Sequence, residues 1–219
     1  MAPVVVFGTG DIARLAHFYF STDSPHEVAA FTVDPAYCQQ ESFLGLPLIP
    51  FDRVAAAYPP RDYRMFVALS YAQMNRLRAA KYAEAKALGY ELVSYISSRC
   101  TYLTTQQPGD NCFILEDNTV QPFVRIGSNV TLWSGNHIGH DSAIDDHCFI
   151  SSHVVISGHC TIGASCFIGV NATLRNGLTI GERSLIGAGA LIMKDTKPGS
   201  VHVGQRAEKL AMPSDDVKL

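Results

Sequence analysis

From Ile114 to Ile192 an aliphatic residue returns at every sixth position without a break: Ile114, Val120, Ile126, Leu132, Ile138, Ile144, Ile150, Ile156, Ile162, Ile168, Leu174, Ile180, Ile186 and Ile192. Six matches neither the 3.6-residue period of a helix nor the two-residue period of an ordinary strand, so each hexad is read as one short β-element plus a corner. Three hexads then close a triangular coil, and residues eighteen apart lie above one another at the ~4.8 Å spacing of neighbouring strands. Roughly five such coils make a prism about 20 Å tall, filled by the openers. The fifth place of the hexad is held by small or compact residues, Cys112, Val130, Ser142, Cys148, Val154, Cys160, Cys166, Ala172, Ser184 and Ala190, as a side chain tucked beside the opener must be.

Four of the six cysteines are thereby assigned to the core, and there is no Cys-x-x-Cys pair. A metal or disulfide framework is not expected, and reduced thiols point to a cytoplasmic protein. A net charge of −3 argues against a nucleic-acid partner. The N-terminal stretch Met1-Ala2-Pro3-Val4-Val5-Val6-Phe7 has no basic flank or long apolar run, so neither a signal peptide nor a membrane span is expected.

Before Arg99 the hexads are absent, and apolar runs alternate with helical stretches, the pattern of an α/β unit with a parallel sheet. Strands are expected at Val4 to Phe7, Val28 to Val33, Met65 to Leu69 and Glu91 to Ile96, and helices at Asp11 to Phe20 and Gln73 to Leu88. The chain therefore divides into a small Rossmann-like domain over residues 1–98, a β-prism over 99–200 and a C-terminal loop and tail over 201–219, with Met212 to Leu219 expected to fray.

Gly8-Thr9-Gly10 lies at the first strand-to-helix turn, where glycines let backbone N–H groups approach a phosphate. Asp34 ends the second strand, the place where such folds set an acid against a ribose or base. Ser70 and Tyr71 follow another strand end. Asn75, Arg76 and Arg78 near the next helix start read either as polar and cationic groups for the same crevice or as a solvated face. About a hundred residues suit a mononucleotide moiety better than a dinucleotide.

On the prism, His140 takes the third place of its hexad, with Gly158 one coil above and Asn176 beyond. A histidine beside a glycine with an accessible N–H supplies a general base and an oxyanion donor about one strand spacing apart, and Asp141 is placed to orient the imidazole if the corner turns it. His147, His153 and His159 hold the fourth place of successive hexads and fall on three faces, so they are not expected to converge. Trp133 is read as a packing residue with sugar stacking as the alternative, Phe149 and Phe167 as subunit-packing residues, and His17 and His26 as surface residues.

The run His140-Asp141-Ser142-Ala143-Ile144, set in unbroken hexads behind a small nucleotide-binding domain, resembles the bacterial sugar N-acyltransferases of the NeuD and PglD type over nearly the whole chain. The resemblance implies a homotrimer of left-handed parallel β-helices that binds acetyl-CoA, the acyl donor, between neighbouring prisms, while the N-terminal domain holds a UDP-, dTDP- or GDP-linked amino-deoxy sugar for a surface glycan. It implies His140 as base, Asp141 as its acid, the Gly158 amide as donor to the thioester oxygen, and Val170 and Ala188 as backbone contacts to the pantetheine arm. Where that family carries a Gly-His-small-Lys turn, this chain has Gly10-Asp11-Ile12-Ala13-Arg14, and its C-terminal Gly-x-Pro-Ala-Lys is replaced by Gly204-Gln205-Arg206-Ala207-Glu208-Lys209. The competing readings are O-acetylation of a sugar hydroxyl, a γ-carbonic-anhydrase-like zinc enzyme and a noncatalytic trimerisation scaffold.

Overall fold

Two cores are built from two different periodicities. The structure, a computed structural model, describes residues 2–209, 211 and 214–216; most of the segment from Met212 to Leu219 lies outside the described residues. The first unit runs β1 (Val4–Phe7), α1 (Asp11–Asp23), β2 (Val28–Val33), β3 (Ser42–Phe43), β4 (Leu46–Pro50), α2 (Val54–Ala57), β5 (Arg64–Val67) and α3 (Arg76–Ala87). Its sheet has the order β3-β4-β2-β1-β5 and is parallel except for the β3–β4 hairpin. Strands β1 and β2 are apolar on both faces because both are covered: Val4, Val6 and Phe31 lie in one core with Phe20 and Phe66, and Val5 and Ala30 in the other with Met65 and Tyr90.

The second unit is a parallel β-helix. Every strand is two residues long, formed by the sixth place of one hexad and the opener of the next, and pairs in parallel with the strand eighteen residues on, as in Phe149↔Phe167 and Ile150↔Ile168. The three walls hold seven, six and four strands. All fourteen openers are buried in one continuous core, and the small fifth-place residues lie beside them.

The corner is made at the fourth place. Every residue there from Asn111 to Gly189 has a left-handed backbone, with φ between 55° and 76°. Asn, Asp and Gly dominate these positions because they pay least for that conformation.

Several elements depart from the sequence expectation. The strand expected over Glu91 to Ile96 splits: Leu92 bridges to Met65 in the first sheet, whereas Tyr95–Ile96 is hydrogen-bonded to Phe113–Ile114 of the prism. Ile96 and Tyr102 keep the hexad register, which Pro108 interrupts. At the far end Val201–His202 pairs with Leu185–Ile186. Helix α3 begins at Arg76 rather than Gln73, because Gln73, Met74 and Asn75 form a left-handed turn with φ of 53°, 55° and 64°. That turn sends the Asn75 side chain to the prism, where its Nδ2 donates to the Ser165 and Cys166 carbonyls.

Arg78 neither faces the crevice nor meets solvent. It is 1% exposed and enters the seam between the units, donating to Asn75 Oδ1, to the side chain and carbonyl of Asn129, and to the carbonyls of His147 and Cys148. Burial pushes the guanidinium pKa down to about 10, so it remains a cation at neutral pH, held by neutral acceptors. Asp23 ties the other side of the seam: its carboxylate accepts from Tyr95 Oη at 2.6 Å and from the Ser98 N–H at 2.9 Å.

Candidate active site

The corner geometry fixes which prism groups face outward. N–H groups at the second, fourth and sixth places donate to the adjacent coil, as in Gly139 to Ile156 (2.7 Å), Asp141 to Pro122 (3.2 Å) and Ala143 to Cys160 (2.8 Å). Those at the third place emerge at the corner, and the amides of Gly158, Val170 and Ala188 donate to no acceptor among the described residues.

The same corner turns His140 and Asp141 to one side. His140 Nδ1 lies 2.8 Å from Asp141 Oδ2, and both side chains are about half exposed. A carboxylate at Nδ1 selects the tautomer with the proton there, leaving the Nε2 lone pair free as a base. The His140 N–H donates to Gln121 Oε1 at 2.8 Å. Glycine is demanded at 158, since a Cβ there would stand 2.8 Å from His140 Nε2. Glycine is demanded more strictly at 139, where a Cβ would meet backbone, the Gly158 amide nitrogen, rather than a movable side chain. The Ile-Gly pairs of the sequence thus clear the room in which third-place amides of the next coil stay open.

His159 joins this group, a neighbour of His140 that the sequence reading did not single out. It stands eighteen residues after Asp141, directly above it, and its ring packs edge to face on His140 with centroids 4.9 Å apart. His140, Asp141 and His159 each offer a ligand-type atom within 4.8 Å of the others, and all three are exposed. His147 and His153 occupy the other two corners, as expected.

Two cavities flank the first strand-to-helix turn of the α/β unit. A cleft of about 550 Å³ lies between Gly10, Leu15, Ser70 and Tyr71 on one side and Trp133, Phe149, Ser152 and Val170 of the prism on the other. A second, of about 340 Å³, is lined by Gly8, Thr9, Gly10, Asp34, Tyr37, Leu77 and Lys81. Gly8, Thr9, Gly10, Asp34 and Ser70 therefore all line one of two adjoining hollows. Gly8 has φ of +124°, and a Cβ there would press on the Ala68 carbonyl at 2.7 Å.

Asp34 is already engaged. Lys81 Nζ lies 2.7 Å from its Oδ1 and 2.8 Å from Glu84 Oε2, and stands over the Phe7 and Phe51 rings. Burial alone would lower the Lys81 pKa; its hydrogen bonds to Asp34 and Glu84 outweigh that and raise it, so the lysine stays charged and leaves Asp34 Oδ2 to accept from a ligand. At the start of α1 the Asp11 carboxylate faces Arg14 at 3.8 Å.

Trp133 packs against the α/β core, as expected of a packing residue, and also forms part of the cleft wall. Phe149 and Phe167 do not wait for another subunit: Tyr71 of the α/β unit packs on both, with ring centroids at 5.0 and 4.7 Å. His17 is half-buried against Phe31, and His26 packs on Phe20 with its Nδ1 buried.

Residues 124–158 and 159–194 match the six-repeat bacterial transferase hexapeptide family. The acetyltransferase domain of PglB from Neisseria gonorrhoeae superposes with a TM-score of 0.81 at 23% identity, covering 96% of this chain and 100% of that one. A mutant of the perosamine N-acetyltransferase from Caulobacter crescentus, in complex with CoA and GDP-perosamine, gives a TM-score of 0.82 at 22% identity, over 93% and 94% of the two chains. The chain has the fold of these acetyltransferases. WeeI from Acinetobacter baumannii is similar to the same extent, with a TM-score of 0.79, 18% identity and coverage of 93% and 97%. No curated protein sequence matches the chain. Among the described residues no helix is long and apolar enough to cross a membrane.

Proposed function

We propose that this protein transfers an acetyl group from acetyl-CoA to the amine of a nucleotide-linked amino-deoxy sugar. The observation that carries the reading is the His140–Asp141 pair beneath the open amide of Gly158, on a chain that matches a perosamine N-acetyltransferase solved with CoA and GDP-perosamine over nearly its full length.

His140 Nε2 takes a proton as the amine attacks the thioester carbonyl, and Asp141 holds the imidazole and stabilises its cation. The Gly158 N–H donates to the oxyanion. General-base help is worth ~10²–10⁴-fold and one oxyanion donor ~10²–10³-fold, so each is needed. Val170 and Ala188, one coil apart, present a pair of amides to the pantetheine arm. The Gly8-Thr9-Gly10 turn and Asp34 hold the nucleotide, and the cleft at Ser70 takes the sugar.

His140 stands at the corner after Ile138, whereas Val170 and the cleft belong to the corner after Ile168, on a different edge of the prism. The two halves of the site meet only when a second copy brings its His140 to this cleft, which calls for the homotrimer. The acetyl donor and the nucleotide sugars of bacterial glycan assembly place the reaction in the cytoplasm.

The test is mass spectrometry of products from acetyl-CoA and a panel of UDP-, dTDP- and GDP-linked amino sugars. The reading expects one acetyl group on one nucleotide family, stable to hydroxylamine as an amide is; a hydroxylamine-labile product would make it an O-acetyltransferase.

A further inference from the structure

The corner that carries His140 changes character along the prism. Above His140 in its column stand the open amide of Gly158 and then Asn176. Below it lie Pro122 and Phe123, both exposed. Proline has no N–H, so this coil offers no third-place donor. The two coils are locked together, the Asp141 N–H donating to the Pro122 carbonyl at 3.2 Å and the His140 N–H to Gln121 Oε1 at 2.8 Å.

Phe123 is costly where it stands. It is 68% exposed, and its φ of 67° is left-handed, a conformation that a bulky side chain seldom adopts. The other fourth-place residues from Asn111 to Gly189 are polar or glycine. The ring lies outside the apolar cores of both units. An apolar ring held outward on a strained backbone marks a contact that one chain alone does not make.

Resting on the acetyl-transfer reading, we propose that Phe123 is a specificity residue of the acceptor site: its ring is the wall on which the sugar of the nucleotide-linked substrate lies, opposite the Trp133 cleft of a second copy. Height along the prism decides this. Residues eighteen apart differ by one coil, ~4.8 Å, and copies related by a three-fold axis along the prisms stand at equal height. The amides given to the pantetheine arm, Val170 and Ala188, and to the oxyanion, Gly158, all lie above His140. The acyl donor therefore fills the upper side and the amine comes from below, where Pro122 and Phe123 are the first side chains of the column. Trp133 of the second copy comes ten residues later than Phe123, ~3 Å higher, so the two rings bound one slot from opposite sides. A hexose ring suits that slot, because its C–H groups carry partial positive charge and meet the negative face of an aromatic ring. The rest of the cleft wall is of the same kind, with Ile12, Leu15 and Phe149 around Ser70 and Ser152.

Asparagine is at ease in a left-handed backbone, so Phe123→Asn removes the ring and keeps the corner, while Phe123→Tyr keeps the ring. Both are assayed as intact protein with acetyl-CoA and whichever UDP-, dTDP- or GDP-linked amino sugar the wild type turns over. The bare nucleoside diphosphate serves as inhibitor, and molar mass is followed by light scattering. For Phe123→Asn the KM for the nucleotide sugar is expected to rise about 10-fold, the worth of one aromatic contact. The KM for acetyl-CoA, the inhibition constant of the bare diphosphate, the molar mass and the melting temperature are expected to hold, and Phe123→Tyr to restore the wild-type KM. An unchanged KM in Phe123→Asn would overturn the proposal, as would a Phe123→Tyr variant equally impaired. So would a fall in molar mass, which makes Phe123 a subunit-packing residue, or an equal rise in the inhibition constant, which puts the ring against the nucleotide. Absence of turnover in the wild type with every amine would overturn the acetyl-transfer reading and this inference together, whereas turnover in the wild type leaves the former standing and lets Phe123→Asn decide the latter.

Discussion

Gly158 shows how little room separates a working base from a displaced one. A methyl group there would press on the His140 imidazole at the nitrogen assigned to catalysis. Because that imidazole is half exposed, it can swing aside, and the backbone need not move. Gly158→Ala is therefore expected to lower turnover by about 10²-fold, the worth of a positioned base, with a melting temperature close to that of the wild type. Gly139→Ala is the contrast, since its methyl group would meet backbone one coil above. It should lower the melting temperature as well as turnover. The His140–Gly158 relation was legible because eighteen-residue arithmetic stacks the two. The same arithmetic puts His159 over Asp141, but comparing fourth-place residues only with one another hid that a third-place and a fourth-place side chain share each corner.

The hexad itself explains which substitutions the prism walls and corners accept. Fourth-place residues carry a left-handed backbone at every coil, so at exposed Asn171 (φ 58°) a valine is expected to cost about 1–2 kcal/mol and a glycine little, as measured by chemical denaturation. His147 adds a pH dependence at one of these corners. Burial pushes its pKa below the ordinary value and outweighs the opposing pull of Asp146, the Arg78 cation adding a smaller push in the same direction as burial, while Tyr82 and Asn129 pack around the ring. The unfolded chain then binds a proton that the folded one resists, so the stabilising contribution is complete above the ordinary histidine pKa of about 6.5 and declines as pH falls below it. His147→Asn should flatten the fall in melting temperature between neutral pH and the acid side, leaving a remainder from His26, whose pKa burial also lowers. The left-handed turn at Gln73, Met74 and Asn75 had no comparable signal in the sequence, because glutamine and methionine seldom adopt that conformation and tertiary bonds from Asn75 hold it in place.

The two units act as one body because the seam between them is polar at its centre and apolar at its sides. Arg78 satisfies carbonyls of two coils, and Trp133, the sole tryptophan, lies in the same seam beside the α/β core. Arg78→Ala leaves those acceptors facing a void and is expected to destabilise the protein by about 2 kcal/mol or more. Trp133 emission should then shift at lower denaturant than in the wild type. Arg78 was not legible in the sequence, where an arginine early in a helix reads as solvated or ligand-facing. Only the neighbouring prism, with carbonyls that can replace its water, makes burial tolerable. The two-part architecture, by contrast, followed from the change of period near residue 100, and the adjoining hollows around Gly8, Gly10, Asp34 and Ser70 from strand-end positions in the α/β unit. The central claim joins these parts: an acceptor sugar held in the cleft of one copy is acetylated at the His140 corner of another. It is tested most directly by release of the CoA thiol from acetyl-CoA, measured with the wild-type protein and with His140→Ala against UDP-, dTDP- and GDP-linked amino sugars. The account predicts release with one nucleotide family and its loss in the variant; release that survives in His140→Ala, or none with any amine, would contradict it.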